Sequence, residues 1–228
     1  YTHNTEKKYL FQCYEYLQGE TLAQWLHRQE KPLKLDDILP ILQQTALALN
    51  AMHRLEMLHQ DIRPKNIIVL NTESAMKIKL IDYGSTAVRG LVEINPKNAN
   101  RPLGTLAFMA PEYFIDHSPS VHSDQFSLAV MAYYLLTKQL PYGTDLARCN
   151  SLKQLKKVQY HSIRKYRPDL PIWLDKILGQ ALSIEPTHRF EALSELIHNL
   201  MHPSKELLNS KPPAIIERDP LRFWQISC

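Results

Sequence analysis

The stretch LHQDIRPKNIIVL, residues 58–70, crowds His59, Asp61, Arg63, Lys65 and Asn66 into eight positions and then runs straight into Ile67, Ile68, Val69 and Leu70. A solvated loop has no need of that arrangement. A loop that works on a phosphate does: a carboxylate can orient and deprotonate a hydroxyl, and cations can meet phosphate charge. A second polar site is LIDYGS, residues 80–85, where Asp82 follows an apolar run and precedes a glycine that permits a sharp turn. A third is GTLAFMAPE, residues 104–112. Taken singly these signals are weak. Asp61 alone is an ordinary loop carboxylate, and His59 reads better as a packed structural histidine than as a base.

The elements that must position these residues follow from hydrophobic period. Residues 7–17 read as a strand, rich in aromatic and apolar side chains. Residues 20–29 read as a short helix. Residues 36–54 form a clear helix, with Asp36 and Asp37 in its first turn and Ile38, Leu42, Ala46, Leu49 and Met52 at helical spacing. Residues 66–70 and 76–81 read as a hairpin, Met76, Ile78 and Leu80 alternating with Lys77 and Lys79. Such a hairpin brings Asn66 and Asp82 together at its open end, and an amide oxygen beside a carboxylate is a hard oxygen site suited to Mg²⁺. Residues 84–108 carry no period and read as a long loop. An apolar helix is expected over 122–138, capped at Ser123 or His122, with further helices near 145–160, 171–182 and 190–201. The tail from Pro203 contains four prolines and should be extended. The fold class is therefore mainly α, a small sheet followed by many helices.

Composition sets the outer bounds. The chain has 228 residues, 44% hydrophobic, enough to bury a sizeable core. A net charge of +4 is too diffuse to argue for nucleic acid. Three distant cysteines, Cys13, Cys149 and Cys228, argue against a disulfide framework or zinc and for a reducing, cytoplasmic setting. No signal peptide or membrane-spanning run is visible. The run Lys153, Lys156, Lys157 reads as a solvated face, with acidic substrates as the sharper alternative.

In chain order, HQDIRPKN, DYG and APE resemble the catalytic loop, D-F-G and A-P-E of eukaryotic-type protein kinases. SDQFSLAVMAYYLLTKQLPYG is similar to the kinase helix that follows the activation segment, and EPTHRF to the late motif whose Arg pairs with the Glu of A-P-E. Together they cover about residues 8–201. The resemblance implies an α+β protein-kinase-like fold seen through its helical C-lobe, with a short hairpin and a hinge strand and with the N-lobe largely absent. Residues 1–19 would be the last N-lobe strand and hinge, 20–202 the C-lobe, and 203–228 a tail leading to a possible membrane anchor. LHQDIRPKN, IDYGST, PLGTLAFMAPEYF and ERDPLRFWQ more closely resemble the kinase half of bacterial proteins that join a PP2C-type phosphatase to a kinase.

The resemblance implies roles residue by residue. Asp61 would orient the substrate hydroxyl and accept its proton. Arg63, where Lys is usual, would steady the transferring phosphoryl group. Asn66 and Asp82 would hold Mg²⁺. Tyr14 would be the gatekeeper, the backbone of Glu15 and Leu17 would meet the adenine of ATP, and Ile68 would floor its pocket. Thr105 would bridge Asp61 and Arg63, and with Pro64 it favours a Ser/Thr protein substrate. Glu112 and Arg189 would form a structural ion pair, and Asp124 would hold the catalytic-loop backbone.

The chain also departs from the pattern. Gln60 replaces the usual Arg, and residues 87–103 contain no Ser, Thr or Tyr, so phosphate acceptor and phosphate pocket are missing together. The expectation is a kinase not switched on by phosphorylation in mid-loop. No Gly-rich loop, strand Lys or partner Glu is present, so these 228 residues alone are expected to transfer phosphate poorly or not at all. A partner-binding pseudokinase scaffold and a small-molecule phosphotransferase are the competing readings. Intact Asp61, Asn66 and Asp82 oppose the first, and the GTLAFMAPE segment opposes the second.

Overall fold

A computed structural model describes residues 14–70, 75–88, 106–115 and 118–209. In chain order the elements are β1 (Gly19–Thr21), α1 (Leu22–His27), α2 (Leu35–Arg54), β2 (Met57–Leu58), β3 (Ile67–Leu70), β4 (Lys77–Leu80), β5 (Ala87–Val88), α3 (Val121–Thr137), α4 (Leu152–Leu155), α5 (Ile172–Ala181), α6 (Leu193–Met201) and α7 (Lys205–Leu208). Short 3₁₀ turns at Pro64–Asn66, Tyr83–Ser85, Pro111–Phe114 and Leu146–Arg148 complete the frame used below.

The helices carry the core. Along α2, Ile38, Ile41, Leu42, Thr45, Ala46, Leu49 and Met52 are buried, the stripe its spacing predicts. It packs against α3, β4 and α6. Helix α3 is buried on nearly every side, from Ser123 to Leu136, which is why its sequence is apolar with little periodicity. The Arg167 guanidinium donates to Leu33 O (2.9 Å) and Leu136 O (2.8 Å), tying the approach to α2 to the end of α3.

Strands β1, β3 and β4 form an antiparallel sheet in that order, with Thr21 opposite Ile68 and Ile68 opposite Lys79. β2 pairs separately with β5. Gly19 is required by close approach: a Cβ there would stand 2.3 Å from the Val69 carbonyl oxygen. On the outer side of β4, the Gln44 amide donates to Met76 O and accepts from Ile78 N, both at 3.0 Å. One side chain of α2 thus stands where a fourth strand would pair.

Five sequence expectations change. No strand forms over 14–17, and the remainder of the expected 7–17 strand lies outside the described residues; the strand that pairs with the hairpin is β1, further along. The expected loop of 84–108 begins with a 3₁₀ turn and then β5, which finds a partner in β2. Helix α3 is capped by Ser120, not Ser123 or His122. Ser120 Oγ accepts from His122 N (3.2 Å), while Ser123 serves as the reciprocal capping-box partner, accepting from Ser120 N (3.0 Å). The helix expected over 145–160 is broken into Leu146–Arg148 and α4, because Cys149 and Ser151 have extended backbone and Tyr160 is drawn away to donate to Asp175 (3.0 Å). Past Pro203 the chain turns into α7, capped by Ser204, where extended backbone was expected.

Candidate functional site

The catalytic-loop candidate is built from below by one carboxylate. Asp124, fully buried in the first turn of α3, accepts from His59 N (3.0 Å, Oδ2) and Gln60 N (2.9 Å, Oδ1) and pairs with His53 Nε2 (2.8 Å, Oδ2). This satisfies two backbone donors, one at His59 and one at Gln60, and Gln60 sits at φ 66 in left-handed backbone that a non-glycine residue adopts only under constraint. The Gln60 side chain is buried where the kinase pattern carries a charged Arg. His59 is wholly buried, its Nε2 against Ile81 O (3.3 Å) and its ring 5.6 Å from that of Tyr83. Burial pushes its imidazole below the usual histidine range, against the pull of Asp124, the Ile81 carbonyl, Asp61 and Asp82. It is a packing histidine.

Asp61 and Asn66 are brought together by the Pro64–Asn66 turn, which reverses the chain between them. The Asn66 amide donates from Nδ2 to the Asp61 carbonyl (2.9 Å) and to Asp61 Oδ2 (2.8 Å). One carboxylate oxygen is thereby fixed, while Asp61 Oδ1 is buried with no hydrogen-bond partner among the described residues. A buried acceptor left open is costly in a merely structural loop and useful where a hydroxyl must be received. Both Asn66 side-chain bonds use Nδ2, and its amide oxygen accepts from no described residue.

The hairpin register pairs Ile67 with Leu80, and Ile81 N donates to Asn66 O (2.9 Å), so Asp82 is the next residue beyond Asn66's partner. Asp82 is exposed, in left-handed backbone at φ 65, and its side chain accepts from Gly84 N (3.3 Å). Among the described residues no three His, Cys, Asp or Glu side chains gather to hold a metal ion. An amide oxygen and one carboxylate nevertheless match Mg²⁺, which binds few protein oxygens and completes its shell with water and phosphate.

The expected adenine-side residues lie on the hairpin's other flank. Glu15 pairs with Lys79, the register partner of half-exposed Ile68, which draws the 14–17 segment to that face. Tyr14 is 81% exposed, Leu17 half-buried. Arg63 lies partly buried between Ile62 and Pro64. Thr105 lies outside the described residues.

Behind the site, Arg189 grips Glu112 bidentately, Nη1 to Oε1 (2.9 Å) and Nη2 to Oε2 (2.8 Å). Ser123 Oγ donates to the same carboxylate (2.6 Å), and the guanidinium also reaches the carbonyls of Ser183, His122 and Ile184 and lies 4.8 Å above the Phe126 ring. Burial alone would raise the Glu112 carboxyl; the bonds and charge of Arg189, with Ser123, outweigh it and hold the group below the usual glutamate range. Sequence reasoning missed His53 and Ser123. Each is a polar residue within a largely apolar helix, the one available signal, but their partners lie 71 and 11 residues away.

A family model described as "Protein kinase domain" matches residues 1–201. Serine/threonine-protein kinase PrkC of Bacillus subtilis is 26% identical over 182 residues, 80% of this chain and 27% of PrkC. Serine/threonine-protein kinase PknA of Mycobacterium tuberculosis is 28% identical over 190 residues, 83% of this chain and 42% of PknA. The chain thus spans well under half the length of these curated relatives. Among solved structures, the PknI kinase domain of Mycobacterium tuberculosis superposes with a TM-score of 0.63 at 24% identity, covering 83% of this chain and 64% of that one, a likeness of fold.

Proposed function

This chain belongs to the protein kinase family, and on that premise we propose that it forms the catalytic-loop lobe of a serine/threonine kinase that transfers the γ-phosphate of ATP to protein hydroxyls. The observation that carries the reading is the Asp61 carboxylate: one oxygen is fixed by Asn66, the other is buried without a partner among the described residues, and the loop that presents it hangs on Asp124. Phosphoryl transfer asks mainly for positioning and charge stabilisation, which such a frame supplies. Asp61 orients the substrate hydroxyl and takes its proton. Arg63 offers a planar fork to phosphoryl oxygens, and Thr105 bridges it to Asp61. The Asn66 amide oxygen and Asp82 hold Mg²⁺, which when bound supplies neutralising charge to the phosphates. Tyr14 is the gatekeeper, the backbone of Glu15 and Leu17 meets the adenine, and Ile68 floors its pocket.

On the same reading residues 20–202 are the lobe, 1–19 its link to a nucleotide-covering part, and 203–228 a tail. A cytoplasmic position, with or without an anchor, belongs to this proposal and rests on the cysteine pattern, and a fused PP2C-type phosphatase on motif wording alone; no described helix is long and apolar enough to cross a membrane.

The test is Mg²⁺-dependent transfer of labelled phosphate from ATP to a Ser/Thr protein by the natural protein that carries these residues. Asp61→Asn should lower the rate by roughly 10²–10⁴-fold with unfolding temperature unchanged. Retained activity in that variant would overturn the assignment.

A further inference from the structure

The break in the expected 145–160 helix leaves a cleft. Between the Leu146–Arg148 turn and the residues after α4 lies an open space of about 420 Å³, walled by Arg148, Lys157 and His161, with Asp145 the one carboxylate on its lining. Lys157 makes no ion pair among the described residues, nor does neighbouring Lys153. The third member of the run, Lys156, is already engaged by Glu185 at 3.1 Å. Arg148 meets Asp145 only at 3.9 Å, with both side chains mostly exposed, a pairing of little strength. His161 has its backbone fixed at both ends, N to Pro141 O (2.8 Å) and O from Tyr133 OH (2.9 Å), yet its ring makes no hydrogen bond to any described residue. Exposed Leu152 (43%) stands on α4, directly before Lys153.

We propose that this cleft is a docking site for an acidic, Asp/Glu-rich segment of a protein substrate. The charge points one way: two cations and a donor-capable imidazole face a single carboxylate, and Lys153 extends the positive field. The position suits a dock, because the Leu146–Arg148 turn packs on Pro111–Phe114, which follows Thr105 by six residues in sequence. A substrate held here is one turn of chain, Leu146–Arg148, away from that segment. Its role as a substrate dock rests on the kinase reading; the binding itself does not.

The experiment is fluorescence anisotropy of a labelled twelve-residue Asp/Glu peptide containing one Leu, titrated with the chain in the absence of nucleotide. A matched Asn/Gln peptide, a phosphoserine peptide without carboxylates, and inorganic phosphate as competitor form the other arms. The acidic peptide should bind, the Asn/Gln peptide should not, and affinity should fall about tenfold in Arg148→Glu/Lys157→Glu. A control variant, Lys31→Glu/Lys176→Glu, makes the same change in net charge at exposed positions elsewhere and should bind as the parent does. Equal loss in both variants, absence of acidic-peptide binding, or binding of the phosphoserine peptide alone with phosphate competing would each overturn the proposal. Because no turnover is measured, peptide binding by the chain together with no phosphate transfer by the natural protein that carries it would refute the kinase reading and leave the site standing.

Discussion

Replacing Arg189 with Ala removes the cation of the most enclosed ion pair described. The two side chains are 0% and 4% exposed, so water cannot take the place of the guanidinium. Left behind are the Glu112 carboxylate, relieved by Ser123 Oγ and a backbone N–H but by no cation, and the carbonyls of Ser183, His122 and Ile184. Deleting one partner of a buried, hydrogen-bonded pair costs about 3–5 kcal/mol. For a domain of this size that lowers the unfolding temperature by about 6–20 °C. Urea unfolding at pH 7 measures the loss directly. A second arm uses pH. The folded Glu112 carboxyl is held below its unfolded value, so the stability it contributes is present above about pH 4.3 and is lost as pH falls through the folded value. The parent should therefore weaken in mild acid more steeply than Glu112→Gln. A third arm replaces both partners, Glu112→Leu with Arg189→Met, and should recover much of the single-variant loss, because no orphaned charge remains. A cost below about 1 kcal/mol for Arg189→Ala, the range of an exposed pair, would refute the argument that this pair is desolvated and fully committed.

Three further outcomes are expected. Asp124→Ala orphans His59 N, Gln60 N and the His53 ring, should cost about 3 kcal/mol in urea, and should speed amide hydrogen exchange at His59 and Gln60 while leaving α6 protected. His59, held below its ordinary range by burial, stays neutral in the fold while the unfolded chain binds a proton, so stability should fall as pH drops below about 6.5, and His59→Phe should flatten that slope. Gly19→Val drives a side chain into the Val69 carbonyl and should cost about 1–3 kcal/mol, read as a lower urea midpoint with unchanged slope.

Local pattern carried the sequence reading a long way. The α2 stripe, the alternation in β4 and the hairpin register that sets Asn66 opposite Ile81 are each set by neighbours a few residues off, so they could be read along the chain. The pairing of Glu112 with Arg189 was readable only through resemblance to a family; nothing within 77 residues of spacing encodes it. What sequence could not supply was set by tertiary demand. Tyr160 belongs by period to a helix, but its hydroxyl is held by Asp175 and its ring packs edge-on against Tyr133 and Tyr142, which pulls the chain out of helical geometry. Ser123 looked like a cap because it is a serine near a helix start; its hydroxyl is needed at Glu112, and Ser120 is left to begin the helix. The β2–β5 pair joins two-residue strands too short to leave a period.

The Gln44 amide has a consequence for how this molecule behaves in a crowded solution. An edge strand offers its spare backbone groups to any extended chain that passes, and a sheet left open in that way invites fibrillar growth or misassembly. Here Met76 O and Ile78 N are already taken by a side chain rooted in a rigid helix, and exposed Lys77 sets a charge between them. The small sheet is thereby closed to recruitment on that side without the addition of a strand.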